Sequence, residues 1–169
     1  IKYITSSFSE LLKKLPPNYY ENRMIGENES HICEIIRNDS IEEFITYVNK
    51  TDLSLNSKIE KSIFETNHDI LANLNVFGTH CRYNLIEYAA FFGSIQIIRY
   101  LFKNGVTLSS DLWKYAMHCQ NQELIDFLET NQVEQTDNNE YDLLYYSIKY
   151  HNVNMTNYMI NNYFYNVRN

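Results

Sequence analysis

Glycine and proline are scarce: four Gly and two Pro in 169 residues. A β-sandwich or barrel needs many tight turns, so this shortage argues against both. The three cysteines, Cys33, Cys81 and Cys119, are too few and too widely spaced for a disulfide framework, and they predict free thiols in a reducing compartment. No window approaches the ~18 consecutive apolar residues of a membrane span. No basic stretch followed by an apolar run opens the chain, so no secretory signal is read. A net charge of −7 with no Lys/Arg cluster disfavours binding to nucleic acid and to anionic membrane surfaces. The glycine patterns of nucleotide-binding folds, the serine hydrolase elbow and the H-E-x-x-H zinc motif are all missing.

What remains is the composition of one folded domain, 44% apolar and 21% charged. Asn, at about one residue in eight, is over-represented, as are Tyr, Ile and Lys, which is the drift of an AT-rich genome and carries no functional message. The informative feature is internal similarity. The segment LIEYAAFFGSIQIIRYLFKNGV, residues 85–106, meets LWKYAMHCQNQELIDFLETNQV when shifted 27 places. Tyr88-Ala89 then falls on Tyr115-Ala116, Ile98 on Ile125, Leu101 on Leu128 and Val106 on Val133. A further shift of 31 sets Tyr146-Ser147 on Tyr115-Ala116 and Tyr158 on Phe127. Backwards, HICEIIRNDSIEEFITYV sets Ser40-Ile41 beneath Ser94-Ile95 and Phe44 beneath Ile98 at two periods' distance, leaving SIFETNHDIL, residues 62–71, as one weak unit between.

Each unit reads as two short helices. In the clearest, residues 85–92 form the first, Gly93-Ser94 the turn with Ser94 as N-cap, and Ile95, Ile97, Ile98, Leu101 and Phe102 the apolar face of the second, closed by Asn104-Gly105. Capping boxes are predicted at Ser40–Glu43 and Ser57–Glu60. Helices this short gain stability only by stacking against neighbouring pairs.

Gly93 to Val106, GSIQIIRYLFKNGV, resembles the second half of an ankyrin repeat, and Tyr88-Ala89-Ala90-Phe91-Phe92-Gly93 resembles its x-A-A-x-x-G. Residues 85–129 resemble more specifically a divergent ankyrin-like family expanded in some parasitic protists. The resemblance is strong over 84–129, weaker over 31–48 and 141–164, and absent from 1–30. It implies an all-α solenoid of ankyrin-like helix–turn–helix repeats. The sequence departs from the pattern in two ways. The T-P-L-H box is replaced by Asn84-Leu85-Ile86-Glu87 and Ser110-Asp111-Leu112-Trp113, and the period is 27 against about 33. The deficit lies between Gly105 and Ala116, so the β-hairpin fingers are predicted to be shortened or absent. The expected organisation is an N-terminal capping helix and loop over 1–30, then five helix pairs at 31–56, 57–83, 84–110, 111–138 and 139–166.

At the N-terminus, Ser7–Glu10 followed by Leu11, Leu12 and Leu15 predicts an amphipathic helix stopped by Pro16-Pro17, with a polar loop over 18–30 that holds one period's worth of helix at most. A helix is predicted over 155–164, and its aromatic residues face more than one side. That face is expected to be covered by further repeats beyond Asn169 or by another chain. A chain opening on Ile1 rather than Met is likewise expected to be part of something longer.

Catalysis and metal binding find little support. His80-Cys81 and His118-Cys119 are adjacent pairs, and neighbours on a helix point about 100° apart, so they do not share an ion as C-x2-4-C ligands do. A Cys–His nucleophile needs an enclosed site that a stack of short helices does not offer. No cofactor and no metal are expected. The fold implied by the resemblance instead predicts a non-catalytic protein–protein interaction scaffold that binds on the concave face of the first helices. By repeat position alone, the lining is expected to be Glu87, Tyr88, Phe91, Trp113, Lys114, Tyr115, His118, Tyr146 and Lys149. On this reading the partner is a protein, basic or mixed in charge, and the setting is cytoplasmic. The alternative is a structural component built permanently into a cytoskeletal or other large assembly.

Overall fold

Apolar stretches of only eight to ten residues, separated by polar turns, can make helices of two or three turns, which are marginal alone and must pack to persist. The computed structural model describes residues 15–16, 18–67, 70, 83–134 and 139–161. Among these there are nine α-helices and no strand, only an isolated antiparallel bridge between Lys58 and Asn84. The chain divides into two compact units. One comprises Ile1–Ser30 and Lys61–Cys81, the other His31–Glu60 and Arg82–Asn169.

In the first unit, α1 (Tyr19–Ile25) occupies part of the stretch expected to be a loop. Its ring face explains why: Tyr19 packs edge-on against Phe64, with centroids 5.5 Å apart. Gly26 ends it in the left-handed region at φ 73°, and a Cβ there would stand 2.7 Å from Thr66 Oγ1. The Thr66 amide and hydroxyl both donate to the Gly26 carbonyl at 2.9 Å, so glycine is required twice over. The helix expected over residues 7–15 lies outside the described residues except for Leu15.

The second unit holds eight helices in four pairs: α2 (His31–Arg37) with α3 (Ile41–Thr51), α4 (Leu85–Phe92) with α5 (Ile95–Lys103), α6 (Leu112–Cys119) with α7 (Gln122–Thr130), and α8 (Asn139–Lys149) with α9 (Val153–Met159). Within each pair the two helices pack together. The first helices pack in chain order, α2 on α4, α4 on α6 and α6 on α8. Among the second helices, α3 packs on α5, and Phe102 of α5 meets Phe127 of α7 edge-on at 5.7 Å. One position of the first helix is wholly buried in three successive pairs, at Ala89, Ala116 and Ser147, and its small side chains let the helices approach closely. Ile97, Ile98 and Leu101, then Leu124, Ile125 and Leu128, are the buried faces of α5 and α7. Residues 104–111, between α5 and α6, contain no strand, so no hairpin finger projects there.

The turn between the helices of a pair has the same geometry four times. A left-handed residue, Asp39 (φ 48°), Gly93 (φ 73°), Gln120 (φ 53°) or His151 (φ 55°), precedes the first residue of the second helix by two places. At three of them the closing hydrogen bonds also match. Asp39 N donates to Ile36 O and Ser40 N to Ile35 O, Gly93 N to Ala90 O and Ser94 N to Ala89 O, and His151 N to Ile148 O and Asn152 N to Ser147 O. This is the Schellman closure of a helix end, and only one of the four positions carries the glycine that makes it visible in sequence.

Several expected caps are replaced. Ser40 makes no side-chain cap, and Ser94 sends its hydroxyl to Ile36 O of the preceding pair at 2.5 Å instead of capping α5. Asp39 takes over that role from one layer away, accepting from Gln96 N and Ile97 N, both at 3.0 Å. A carboxylate at a helix N-terminus satisfies orphan amides and complements the helix dipole. No helix begins at Ser57–Glu60. Ile59 N donates to Tyr83 O at 2.6 Å and Leu85 N to Ser57 O at 3.2 Å, so the two ends of the excursion are tied together. α2 packs directly on α4, and residues 68–69 and 71–82 of the unit expected over 57–83 lie outside the described residues.

Asp39 provides a test of the layer-to-layer cap. Asp39→Asn, which keeps one acceptor and tolerates the left-handed backbone, should cost about 1 kcal/mol in urea unfolding. Asp39→Ala, which loses the cap and gains backbone strain, should cost about 2–3 kcal/mol. Asp39→Gly should fall between. An Ala variant as stable as the parent would remove the cap from this account.

Candidate functional site

Repeat position placed nine side chains on one helix face, and the structure sorts them by depth. Tyr88, Phe91, Trp113 and Tyr115 are buried, so their expected place on a surface lining is corrected to packing. The sorting has a physical cause: each inner pair is covered by the pair that follows. Tyr88 is fully enclosed, and its hydroxyl accepts from Arg37 Nη1 at 2.9 Å. The Trp113 indole N–H donates to Val133 O at 3.0 Å, tying α6 to the end of the α7 turn. Burial raises the Tyr115 phenol far above its ordinary 10.0, helped by the neighbouring Tyr83, so it stays protonated.

Glu87, Lys114, His118, Tyr146 and Lys149 reach solvent. Glu87 does so as a cap. Asn84 Oδ1 accepts from Glu87 N and Glu87 Oε2 from Asn84 N, each at 2.9 Å, which closes a capping box at the start of α4. Asn84–Glu87 stands where the T-P-L-H box is lost, yet Asn followed three places on by Glu is itself a helix start signal. Burial holds the Glu87 carboxyl above its ordinary 4.5, the Asn84 amide opposes this, Asp111 adds to it and Lys58 subtracts.

A run of rings crosses the first helices. His118 stacks on Phe91 with centroids 3.9 Å apart, and its Nδ1 lies 3.1 Å from Phe91 O, so Nδ1 carries the proton donated there. His118 also meets Tyr150 edge-on at 4.9 Å, and Tyr150 stacks with Tyr146 at 6.0 Å. Cations lie among these rings. Lys114 Nζ stands 5.6 Å from the Tyr115 ring and 5.5 Å from that of Tyr146, Lys149 Nζ 5.0 Å from Tyr150, and the Arg37 guanidinium 6.0 Å from Phe92. Arg37, Phe92 and Tyr150 belong to this face and were not singled out from sequence. The repeat register could have found Phe92 and Tyr150, which share the column of Cys119.

The cysteines sit elsewhere in chemistry. Cys33 is buried, and burial raises the Cys119 thiol above its ordinary 9.0, the reverse of an activated thiolate. Among the described residues no group of three His, Cys, Asp or Glu side chains is placed to hold a metal ion, and no helix is long and apolar enough to cross a membrane. His80 and Cys81 lie outside the described residues. No protein-family model, curated protein or solved structure matches the chain.

Two measurements check this sorting. Trp113→Ala should cost about 3–5 kcal/mol in stability, the range for emptying a buried large ring. Glu87 gives a pH signature. Because the folded chain keeps a proton that the unfolded chain releases, its contribution to stability falls as pH rises from 4.5 through the raised folded value. Glu87→Gln, which retains an acceptor for Asn84 N, should flatten that fall while leaving the helix content unchanged. An unaltered pH profile would show that Glu87 is not the group titrating.

Proposed function

We propose that the second unit is a stack of ankyrin-like helix pairs acting as a non-catalytic protein-interaction scaffold, with the ring-and-cation face of α4, α6 and α8 as its binding surface. The observation that carries this reading is the recurrence of one turn, at Asp39, Gly93, Gln120 and His151, joined from pair to pair by side chains: Ser94 Oγ to Ile36 O, Asn121 Nδ2 to Gly93 O at 2.9 Å, and Gln120 Nε2 to Tyr150 O at 2.8 Å. Such an array fixes a row of first helices at constant spacing and leaves their outer side chains free to differ, which is how repeat scaffolds present a binding face.

The face mixes Lys114, Lys149, His118 and Arg37 with Glu87 and with half-buried tyrosines, so a partner segment of mixed charge carrying apolar groups fits it. Rings already held by stacking lose little freedom on binding, which favours them as contact centres. A cytoplasmic setting belongs to the same proposal, since the Cys119 thiol is free. A second reading, a part built permanently into a cytoskeletal or other large assembly, is favoured by one observation: Tyr141, Tyr145, Ile148 and Tyr158 of the last pair are exposed.

Lys114→Ala with Tyr146→Ala tests the surface. Both side chains are only partly covered, so the double variant should keep its helix content and melting temperature. It should capture at least about tenfold less of the partner enriched by the parent chain from extract of its own cells, as expected for loss of a hot spot of 1.4 kcal/mol or more. Equal capture by the two proteins, measured by quantitative mass spectrometry, would move the binding surface elsewhere.

A further inference from the structure

Two rows of charge run along the first helices. Counting back two places from the left-handed residue of each turn gives Arg37, Phe91, His118 and Lys149. Three of the four pairs therefore place a basic side chain at the end of their first helix. Counting back nine places gives Asp111 and Asp142 in the third and fourth pairs, both exposed. Positions seven apart lie about 20° from each other around a helix and about 10.5 Å along it, so the two rows share a face. Helix dipoles favour this polarity at the two ends, but at any azimuth, and do not explain why both signs lie on one side.

Side chains align the rows from pair to pair. His118 stacks on Phe91, Tyr150 meets His118, and the Arg37 guanidinium lies over Phe92. At the other ends, burial raises both the Glu87 carboxyl and the Tyr146 phenol, and the charge of Asp111 adds to each from the pair between them. Arg37 and His118 reach solvent although a further pair packs on each of their helices, so the basic row does not depend on where the stack ends.

Spacing selects the occupant. Packed helices stand roughly 8–10 Å apart, so each row repeats at about that interval along the stack. One flank of an α-helix offers a side chain every seven residues, about 10.5 Å, which is close to it. An extended segment offers one side every ~6.7 Å and falls out of step after a single layer. We infer that this face takes an amphipathic helix of the partner protein, laid along the stack, with its acidic flank against Arg37, His118 and Lys149 and its basic flank against Asp111 and Asp142. The half-buried rings of Phe92, Tyr146 and Tyr150 receive its apolar stripe. The inference rests on the scaffold reading above and adds to it the partner's shape and order of charge.

Two synthetic helical peptides, long enough to cross the four pairs, test it by fluorescence anisotropy with the 169-residue chain. Both carry the same leucine stripe and equal numbers of Glu and Lys. One has Glu along one flank and Lys along the other, and the second has them mixed on both flanks. Exchanging the flanks outright is no control, because the helix then merely lies in the opposite direction. The segregated peptide should bind at least about tenfold tighter, and the difference should shrink at high salt. Lys149→Glu and Asp142→Lys, both at exposed positions, should each weaken its binding about fivefold and leave the helix content of the chain unchanged. Equal affinity for the two peptides, failure to bind either, or indifference to both reversals would overturn the inference. Partner capture by the Lys114→Ala, Tyr146→Ala chain judges the scaffold separately: a loss of capture there, with the two peptides bound alike, leaves the scaffold standing and removes the helix.

Discussion

A helix of seven to eleven residues forms few internal hydrogen bonds and leaves four amides and four carbonyls unsatisfied at its two ends. Every helix of the second unit lies within these lengths. The constraint on the fold is therefore less how to bury apolar faces than how to dispose of helix ends, of which short helices have so many. The turn at Asp39, Gly93, Gln120 and His151 answers it: the left-handed residue closes the first helix, and its neighbour starts the second. The leftover groups are passed to the adjacent pair. Asp39 caps α5, Ser94 Oγ reaches back to Ile36 O, and Asn121 holds Gly93 O while accepting from Glu123 N in its own helix. Stability is thereby distributed between neighbours, and removing one pair would strand polar groups on the next.

The same logic explains why one residue type changes role along the chain. Tyr88, Tyr115 and Tyr146 share a position in their helices, but the first two are buried and the third is partly open. Tyr88 is sealed by its neighbours and bonded to Arg37, and Tyr115 lies among Tyr83 and Phe91, with Lys114 over its ring. Tyr146 lies in α8, and among the described residues no further helix pair packs over it. Burial still lifts its phenol pKa, with Asp142 adding to the effect and Lys149 opposing it, but much of the ring remains available for contact. Position in the stack, not residue identity, separates a core ring from a surface ring.

Sequence periodicity revealed the helical class and the bounds of α4 and α5, and carried them to the next pair because Ala89 and Ala116, Ile98 and Ile125, and Leu101 and Leu128 repeat chemically as well as structurally. The turns were less legible. Their left-handed residues are Asp, Gly, Gln and His, and a backbone conformation shared by four different side chains leaves no common letter. The caps were misread for a related reason: Ser40 and Ser94 look like local N-caps, and nothing in a linear string shows that Asp39 lies beside α5. Depth was hidden too, since a register gives the face of a helix but not whether another layer covers it. Trp113 therefore looked like a contact residue until its indole was found bonded to Val133 O.

The spacing between Ser40 and Ser94 spans a segment that the structure fixes at its two ends. It is 54 residues, twice the 27 between Leu85 and Leu112, which made a hidden unit the natural inference. In the structure α2 and α4 are adjacent, while residues 68–69 and 71–82 lie outside the described residues. The ends of the intervening segment are held where Ile59 N meets Tyr83 O and Leu85 N meets Ser57 O. Once a loop is closed at its base, lengthening it adds little, about 0.6 kcal/mol for each doubling. The layers therefore constrain only where the chain leaves and returns, and Ile59, Tyr83 and Leu85 are buried to secure those two points.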